Sequence, residues 1–170
     1  VDVVIHTETL HYPFVAEYNP FEAVKTNILG AMNVIDAAID QGVEKVISLS
    51  PESSVNPSTL SGLTEHTSER IFVAGNSYAG SDGPHFSVVR IGSVFGLKDN
   101  LISKYRQMDR SGVVSISDPN RSRFWMPYEH IVRFTLFCLE TMIKGEIFIP
   151  KLPSVRDVDL ARAVAPNCER

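Results

Sequence analysis

The sequence predicts an α/β fold: a parallel, doubly wound sheet with helices around it. Two patterns carry that expectation. Short apolar, β-branched runs alternate along the chain with longer stretches at helical spacing. The runs themselves, such as "VDVVIH" and "KVISLS", are nearly continuous, as strands buried on both faces are. The bulk composition agrees: 170 residues, 44% hydrophobic and 21% charged, suit one globular core.

Each element follows in order. "VDVVIH" (1–6) reads as a buried parallel strand. "HYPFVAEYNP" (11–20), with two prolines, reads as a loop. Residues 21–42 are apolar on most faces and end at Gly42, a plausible helix C-cap, so they form one long helix. "EKVISLS" (44–50) is the next strand and "PESSVNP" a turn. Residues 58–79 carry helical spacing through Leu63, Ile71, Phe72 and Ala74, and "SGLTE" suits a capping box led by Ser61, with Thr64 or Glu65 near the positive helix end. "HFSVVRIGSVFG" (85–96) is a third strand running into a glycine-bearing loop. A helix over 100–112, a short strand over 113–118 and an amphipathic helix over 127–145, with proline in its first turn, come next. "EIFIP" (146–150) is a strand and 155–165 a closing helix.

In such sheets, ligands bind beyond the carboxyl ends of the strands, which points to loops 7–14, 51–57 and 93–99. The chain contains no G-x-G-x-x-G, the turn that lets backbone approach a pyrophosphate. With no lead-in before "VDVVIH", the chain reads as cut from something longer. The net charge of -4 and the absence of a basic stripe recommend no nucleic-acid partner. No apolar run approaches the ~20 residues of a membrane span, and no signal peptide is visible. Cys138 and Cys168 form no disulfide framework or metal spacing; Cys138, in "FTLFCLETM", suits buried packing, and a reducing cytoplasm is the default location. His6, Glu8 and His11 on one loop are weak grounds for a metal, and none is expected.

The stretches "AEYNPFEAVKTNILGAMNVIDAAIDQGVEKVISLS", "NPSTLSG", "FSVVRIGSVFG", "SDPNRSRFWM" and "GEIFIPKLPSVRDVDLARAVAP" bring a resemblance. Together they resemble the extended short-chain dehydrogenase/reductases, in the polysaccharide-biosynthesis branch that includes the inverting UDP-N-acetylglucosamine 4,6-dehydratases. The resemblance implies a Rossmann-like sheet without its N-terminal nucleotide-binding half, over 1–96, and a small C-terminal substrate lobe interleaved with it over 97–170. It also implies NADP or NAD as cofactor, a UDP-sugar as ligand, and a tyrosine activated by a lysine four residues on.

Carried over residue by residue, the resemblance splits. Asn27 matches a family asparagine that shapes the catalytic helix. Glu52 falls at an aspartic acid position, Pro51 at a threonine and Ser53 at a lysine or glutamate. Ser61 occupies the tyrosine position and Glu65 the lysine position. An alkyl hydroxyl is far less acidic than a phenol, and a carboxylate beside it disfavours the anion further. Losing one positioned base typically costs ~10²–10⁴ in rate. On the substrate side Arg90 and Arg123 match family arginines, Ser93 replaces an asparagine, and Lys151 lies in a loop of the substrate lobe. His6 and Thr7 replace small residues that let a cofactor's ribose approach.

The expectation is therefore a nucleotide-sugar 4,6-dehydratase or epimerase-like chain, catalytically impaired. The alternatives are a non-catalytic module that pairs with a homologous subunit or a strand-supplying partner, and a remnant of a disrupted coding region. A Val-rich strand left unpaired at a sheet edge is sticky, so the isolated chain is expected to self-associate or need a partner.

Overall fold

The computed structural model describes residues 1–96, 100–109, 112–116 and 118–166. Along the chain run β1 (Val3–His6), α1 (Pro13–Tyr18), α2 (Pro20–Ala23), a π-helical stretch (Val24–Leu29), α3 (Gly30–Asp40), β2 (Lys45–Pro51), a 3₁₀ turn (Glu52–Ser54) and α4 (Leu60–Ala79). After them come β3 (His85–Ile91), β4 (Ser93–Phe95), α5 (Leu101–Asp109), β5 (Ser122–Pro127), α6 (Tyr128–Thr141), β6 (Ile147–Phe148), β7 (Ser154–Arg156) and α7 (Asp157–Val164). The chain divides into two units: Val1–Ile91 with Arg133–Pro150, and Gly92–Val132 with the remainder.

The first unit is the parallel α/β body. Its sheet has the order β1-β2-β3-β6, and every pair is parallel. Alternate residues of a strand point to opposite faces. Val46, Phe86 and Val88 therefore meet Ile35, Ala38 and Phe72 of α3 and α4. Ile47 and Val89 instead meet Cys138 and Phe134 of α6. Cys138 is fully buried, as its apolar setting predicts; Cys168 lies outside the described residues. Asn76 fastens α4 to the sheet, accepting from the Phe86 amide at 2.9 Å and donating to its carbonyl at 2.8 Å.

Several local expectations are corrected. β1 is parallel but not buried: it lies at the sheet edge, with Val3 38% and Ile5 42% exposed. Residues 13–18 and 20–23 are helical, because Pro13 and Pro20 each stand in a first turn, where the missing amide costs nothing. The long helix over 20–40 contains a π stretch, and the Gly30 amide reaches back five residues to the Lys25 carbonyl. Its C-terminus is as the glycine suggested. Gly42 has φ +62°, and the Gly42 and Val43 amides return to Ile39 and Ala38 in a Schellman motif.

α4 buries Phe72 as the apolar spacing suggests, but its N-terminal half runs against that reading. Leu63 is 51% exposed, whereas Ser61, Thr64, Glu65, Ser68 and Glu69 are buried. The spacing of that buried set is helical, but its chemistry is polar.

The second unit carries a three-stranded sheet, β4-β5-β7, with β4 parallel and β7 antiparallel to β5. Tyr105, Val114, Trp125, Leu160 and Ala161 form its core with α5 and α7. The expected strand over 85–96 ends at Ile91, and β4 belongs to this second sheet. The break falls at Gly92, where a Cβ would lie 2.5 Å from the Phe124 carbonyl oxygen. Of the strand expected over 113–118, the described residues show a single bridge at Val113, and residue 117 lies outside them.

Candidate functional site

The site expected from the sequence gathers at the carboxyl end of β2 and the start of α4. Thr59, not Ser61, caps this helix: its hydroxyl accepts from the Gly62 amide at 3.3 Å. A second acceptor comes from α1, where Glu17 Oε1 takes the Leu60 amide at 2.8 Å. That carboxylate sits where the positive end of the helix favours it. The capping box expected at Ser61 is thus replaced by a cap two residues earlier and a tertiary contact.

Ser61 is fully buried, and its Oγ lies 3.2 Å from Thr59 Oγ1. Thr64 donates back to the Leu60 and Ser61 carbonyls and accepts from Asn27 Nδ2 at 2.8 Å. Asn27 also accepts from the Leu10 amide at 2.7 Å and donates to the Leu10 carbonyl at 3.3 Å. One buried amide in the π stretch therefore fastens the 7–12 loop to α4.

Glu65 and Glu69 lie one helical turn apart, each 2% exposed. Glu69 is fully matched. Ser50 and Ser54 donate to its Oε1 at 2.5 and 2.6 Å, and Arg90 binds both oxygens, Nε to Oε1 at 3.1 Å and Nη2 to Oε2 at 2.8 Å. Burial raises its pKa, but the bonds from Arg90, Ser50 and Ser54, with the Arg90 charge, bring the net result below the usual carboxylate value.

Glu65 is not matched. Ser53 donates to Oε2 at 2.7 Å, while Oε1 is buried with no hydrogen-bond partner. Burial, and secondarily the Glu69 charge, push its pKa up to about 7, against the opposing pull of the Ser53 and Thr9 hydroxyls.

The remaining candidates are placed as follows. Glu52 is half-buried at the start of the 3₁₀ turn. His6 Nδ1 lies 3.3 Å from Ser48 Oγ and its ring packs on Phe72, at a centroid distance of 5.3 Å. Burial lowers the His6 pKa, with Glu8 opposing. Thr7 is exposed. Arg90, expected to face substrate, is bound to Glu69. Ser93, Arg123 and Lys151 belong to the second unit. There Arg123 pairs with Asp157 at 3.0 Å, Ser93 opens β4, and Lys151 is exposed. Among the described residues no group of three His, Cys, Asp or Glu converges on a metal position.

The chemistry open to this arrangement is narrow. Among the described residues no basic side chain is hydrogen-bonded to Ser61 Oγ, and the residue four positions on is an acid. The 7–12 and 55–59 connections contain no glycine, so neither forms a phosphate cradle at a helix start. These two connections therefore do not fit a dinucleotide's phosphates. Sequence reasoning missed Glu69, Ser50, Ser54, Thr59 and Glu17. The only available signal was a second acid at i+4 from Glu65 on a helix facing the serine-rich run "SLSPESS".

Comparison with known proteins adds three findings. A family model described as polysaccharide biosynthesis protein matches residues 1–169. An inverting UDP-N-acetylglucosamine 4,6-dehydratase of Campylobacter jejuni is 44% identical over 169 residues, covering 98% of this chain and 51% of the relative. Among solved structures, Pen from Bacillus thuringiensis superposes with TM-score 0.90 at 34% identity, covering 96% of this chain and 51% of that one. The structure described as MoeE5 in complex with UDP-glucose and NAD shares the fold, with TM-score 0.83 at 19% identity, over 99% of this chain and 64% of that one. The chain spans about half the length of the curated relatives it matches.

Proposed function

Because this chain belongs to the polysaccharide biosynthesis protein family, we propose that it derives from a nucleotide-sugar dehydratase or epimerase and is catalytically impaired as it stands. The observation that carries this reading is the α4 pair. Ser61 and Glu65, at the tyrosine and lysine positions of the related enzymes, are both buried in bonds to their own fold. An aliphatic hydroxyl with a carboxyl group one turn on has no partner to take its proton near neutrality. A sugar 4-hydroxyl would accordingly meet no base from this helix.

Glu52 is the remaining acid beside the β2 end. It would serve as a proton donor only after a step that Ser61 and Glu65 are not equipped to start. Arg90 is held by Glu69, and Arg123 by Asp157, so binding a UDP-sugar would require these arginines to share existing partners. Ser93 and Lys151 complete the proposed substrate side, His6 and Thr7 the cofactor side. A nicotinamide cofactor, NAD or NADP, would supply hydride storage in such chemistry, and the 7–12 and 55–59 connections offer its phosphates no glycine cradle.

The test is incubation with UDP-N-acetylglucosamine and NAD or NADP, followed by detection of a 4-keto-6-deoxy sugar. No product above background is expected. Turnover at a rate ordinary for such dehydratases would overturn the assignment of Ser61 and Glu65. A second reading, a non-catalytic module that pairs with a homologous subunit or strand-supplying partner, is favoured by the exposed edge strand β1.

A further inference from the structure

β1 is covered on one face and bare on the other. Val4 packs against the core that α3 and α4 form, and the His6 ring lies on Phe72 of α4. Alternation turns Val3 and Ile5 to the opposite face. Their parallel partners on β2 are Lys45 and Ile47, and both meet α6 there: Lys45 Nζ donates to the Leu139 carbonyl at 2.9 Å, and Ile47 packs with Cys138. α6 thus covers β2 and β3 but stops short of β1, where Val3 is 38% and Ile5 42% exposed. Phe134 of α6 joins the cluster around Ile47, and Phe137, 56% exposed, stacks on Phe134 at a centroid distance of 6.5 Å. Among the described residues β1 joins no hydrophobic cluster on this face, and no strand pairs with its outer edge.

We propose that this bare edge and bare face are one docking surface, and that its occupant is a strand with its own helix: the strand pairs with β1, and the helix lies over Val3, Ile5 and Phe137. This form of partner, which rests on the pairing reading given above, follows from what parallel sheets require. Their strands are covered on both faces, and a parallel neighbour comes with a crossover helix on the face of the sheet. A second copy is the poorer occupant. Joined through its own β1, it would satisfy the edge but set two bare faces side by side, and a lone strand would leave Val3 and Ile5 equally uncovered. The Campylobacter jejuni relative matches 98% of this chain with 51% of its own length, so the rest of its chain needs ground on the same body to pack against. The other sheet edge, β6, is only two residues long and offers little to pair with. The occupant assigned to the β1 surface is therefore a polypeptide equivalent to that unmatched half.

Coexpression tests this. The part of the Campylobacter jejuni relative that this chain does not match is produced together with the tagged full chain, and the recovered species is sized by light scattering. A one-to-one complex is expected, with the β1 amides exchanging roughly 10-fold or more slowly than in the chain alone. Ile5→Lys on the strand and Phe137→Glu on α6 should each weaken the complex by roughly 10-fold or more, because each sets a charge against the docked helix. Both positions are exposed, so both variants should keep the fold, which circular dichroism checks. Leu63→Glu, exposed on α4 behind the opposite face of the sheet, should leave the complex unchanged. Recovery of the chain without the coexpressed half overturns the inference. If the chain then self-associates with β1 protected, the pairing reading survives with a second copy as the occupant. A complex indifferent to Phe137→Glu docks by the edge alone or elsewhere, and overturns the two-part surface as well.

Discussion

At the scale of single residues, the site is a set of buried polar groups that differ in how completely each is satisfied. Asn27 makes bonds to both backbone groups of Leu10 and to Thr64. Asn27→Ala leaves the Leu10 amide buried without its acceptor and should cost about 2–4 kcal/mol in urea unfolding. Arg90→Ala strands the Glu69 carboxylate, and breaking a buried pair from one side costs about 3–5 kcal/mol. That loss should shrink as pH falls, since Glu69 then takes up a proton; a loss independent of pH would show that Arg90 acts by packing alone. Glu65 sets a trend of its own. Its folded pKa of about 7 exceeds the ordinary value of 4.5, so between them the native state binds more protons than the unfolded chain. Stability should therefore fall as pH rises from 4.5 through 7, by on the order of 3 kcal/mol, and Glu65→Gln should abolish the fall. Glu69 has the opposite sign: its lowered pKa stabilises above the ordinary carboxylate range and is lost as acid reaches its folded value.

At the scale of elements, α4 is the informative one. Its helical period was legible, and Phe72 is buried as expected, but the face its N-terminal half buries was not legible, because those positions carry serine, threonine and glutamate. Hydrophobic spacing ranks Leu63 above Glu65, and only partners 10 to 40 residues away, among them Asn27, Ser50, Ser53 and Arg90, reverse that ranking. Thr59→Ala should cost about 1 kcal/mol as an ordinary cap loss. Gly62→Ala should cost more, about 1–3 kcal/mol, because the added methyl meets the Ser53 carbonyl rather than a movable side chain. Equal costs in thermal or urea unfolding would mean that the 3₁₀ turn yields easily. The proline-bearing segment 11–20 was misjudged for a related reason. Proline stops a helix from within but starts one readily, and which applies depends on where the previous element ends.

At the scale of the molecule, the exposed edge of β1 sets the behaviour of the isolated chain. Val3 and Ile5 offer unpaired strand backbone beside apolar side chains, a template for further pairing. Size-exclusion chromatography over a range of concentrations should show self-association, and Ile5→Lys should weaken it. A stable monomer at every concentration would remove the edge as a driving force. Among the described residues no helix is long and apolar enough to cross a membrane.

The α/β class, the parallel strands and the Gly42 helix end were determined by the sequence itself, because apolar period and glycine conformation are local properties. Ser61 and Glu65 were equally visible as an aliphatic hydroxyl and a carboxyl group one helical turn apart, since acidity belongs to the side chain. The tertiary structure alone decided that Arg90 belongs to Glu69 and that Glu65 keeps one oxygen unbonded. Those outcomes depend on which distant groups reach the same small volume, and burial then magnifies every mismatch of charge and hydrogen bond there.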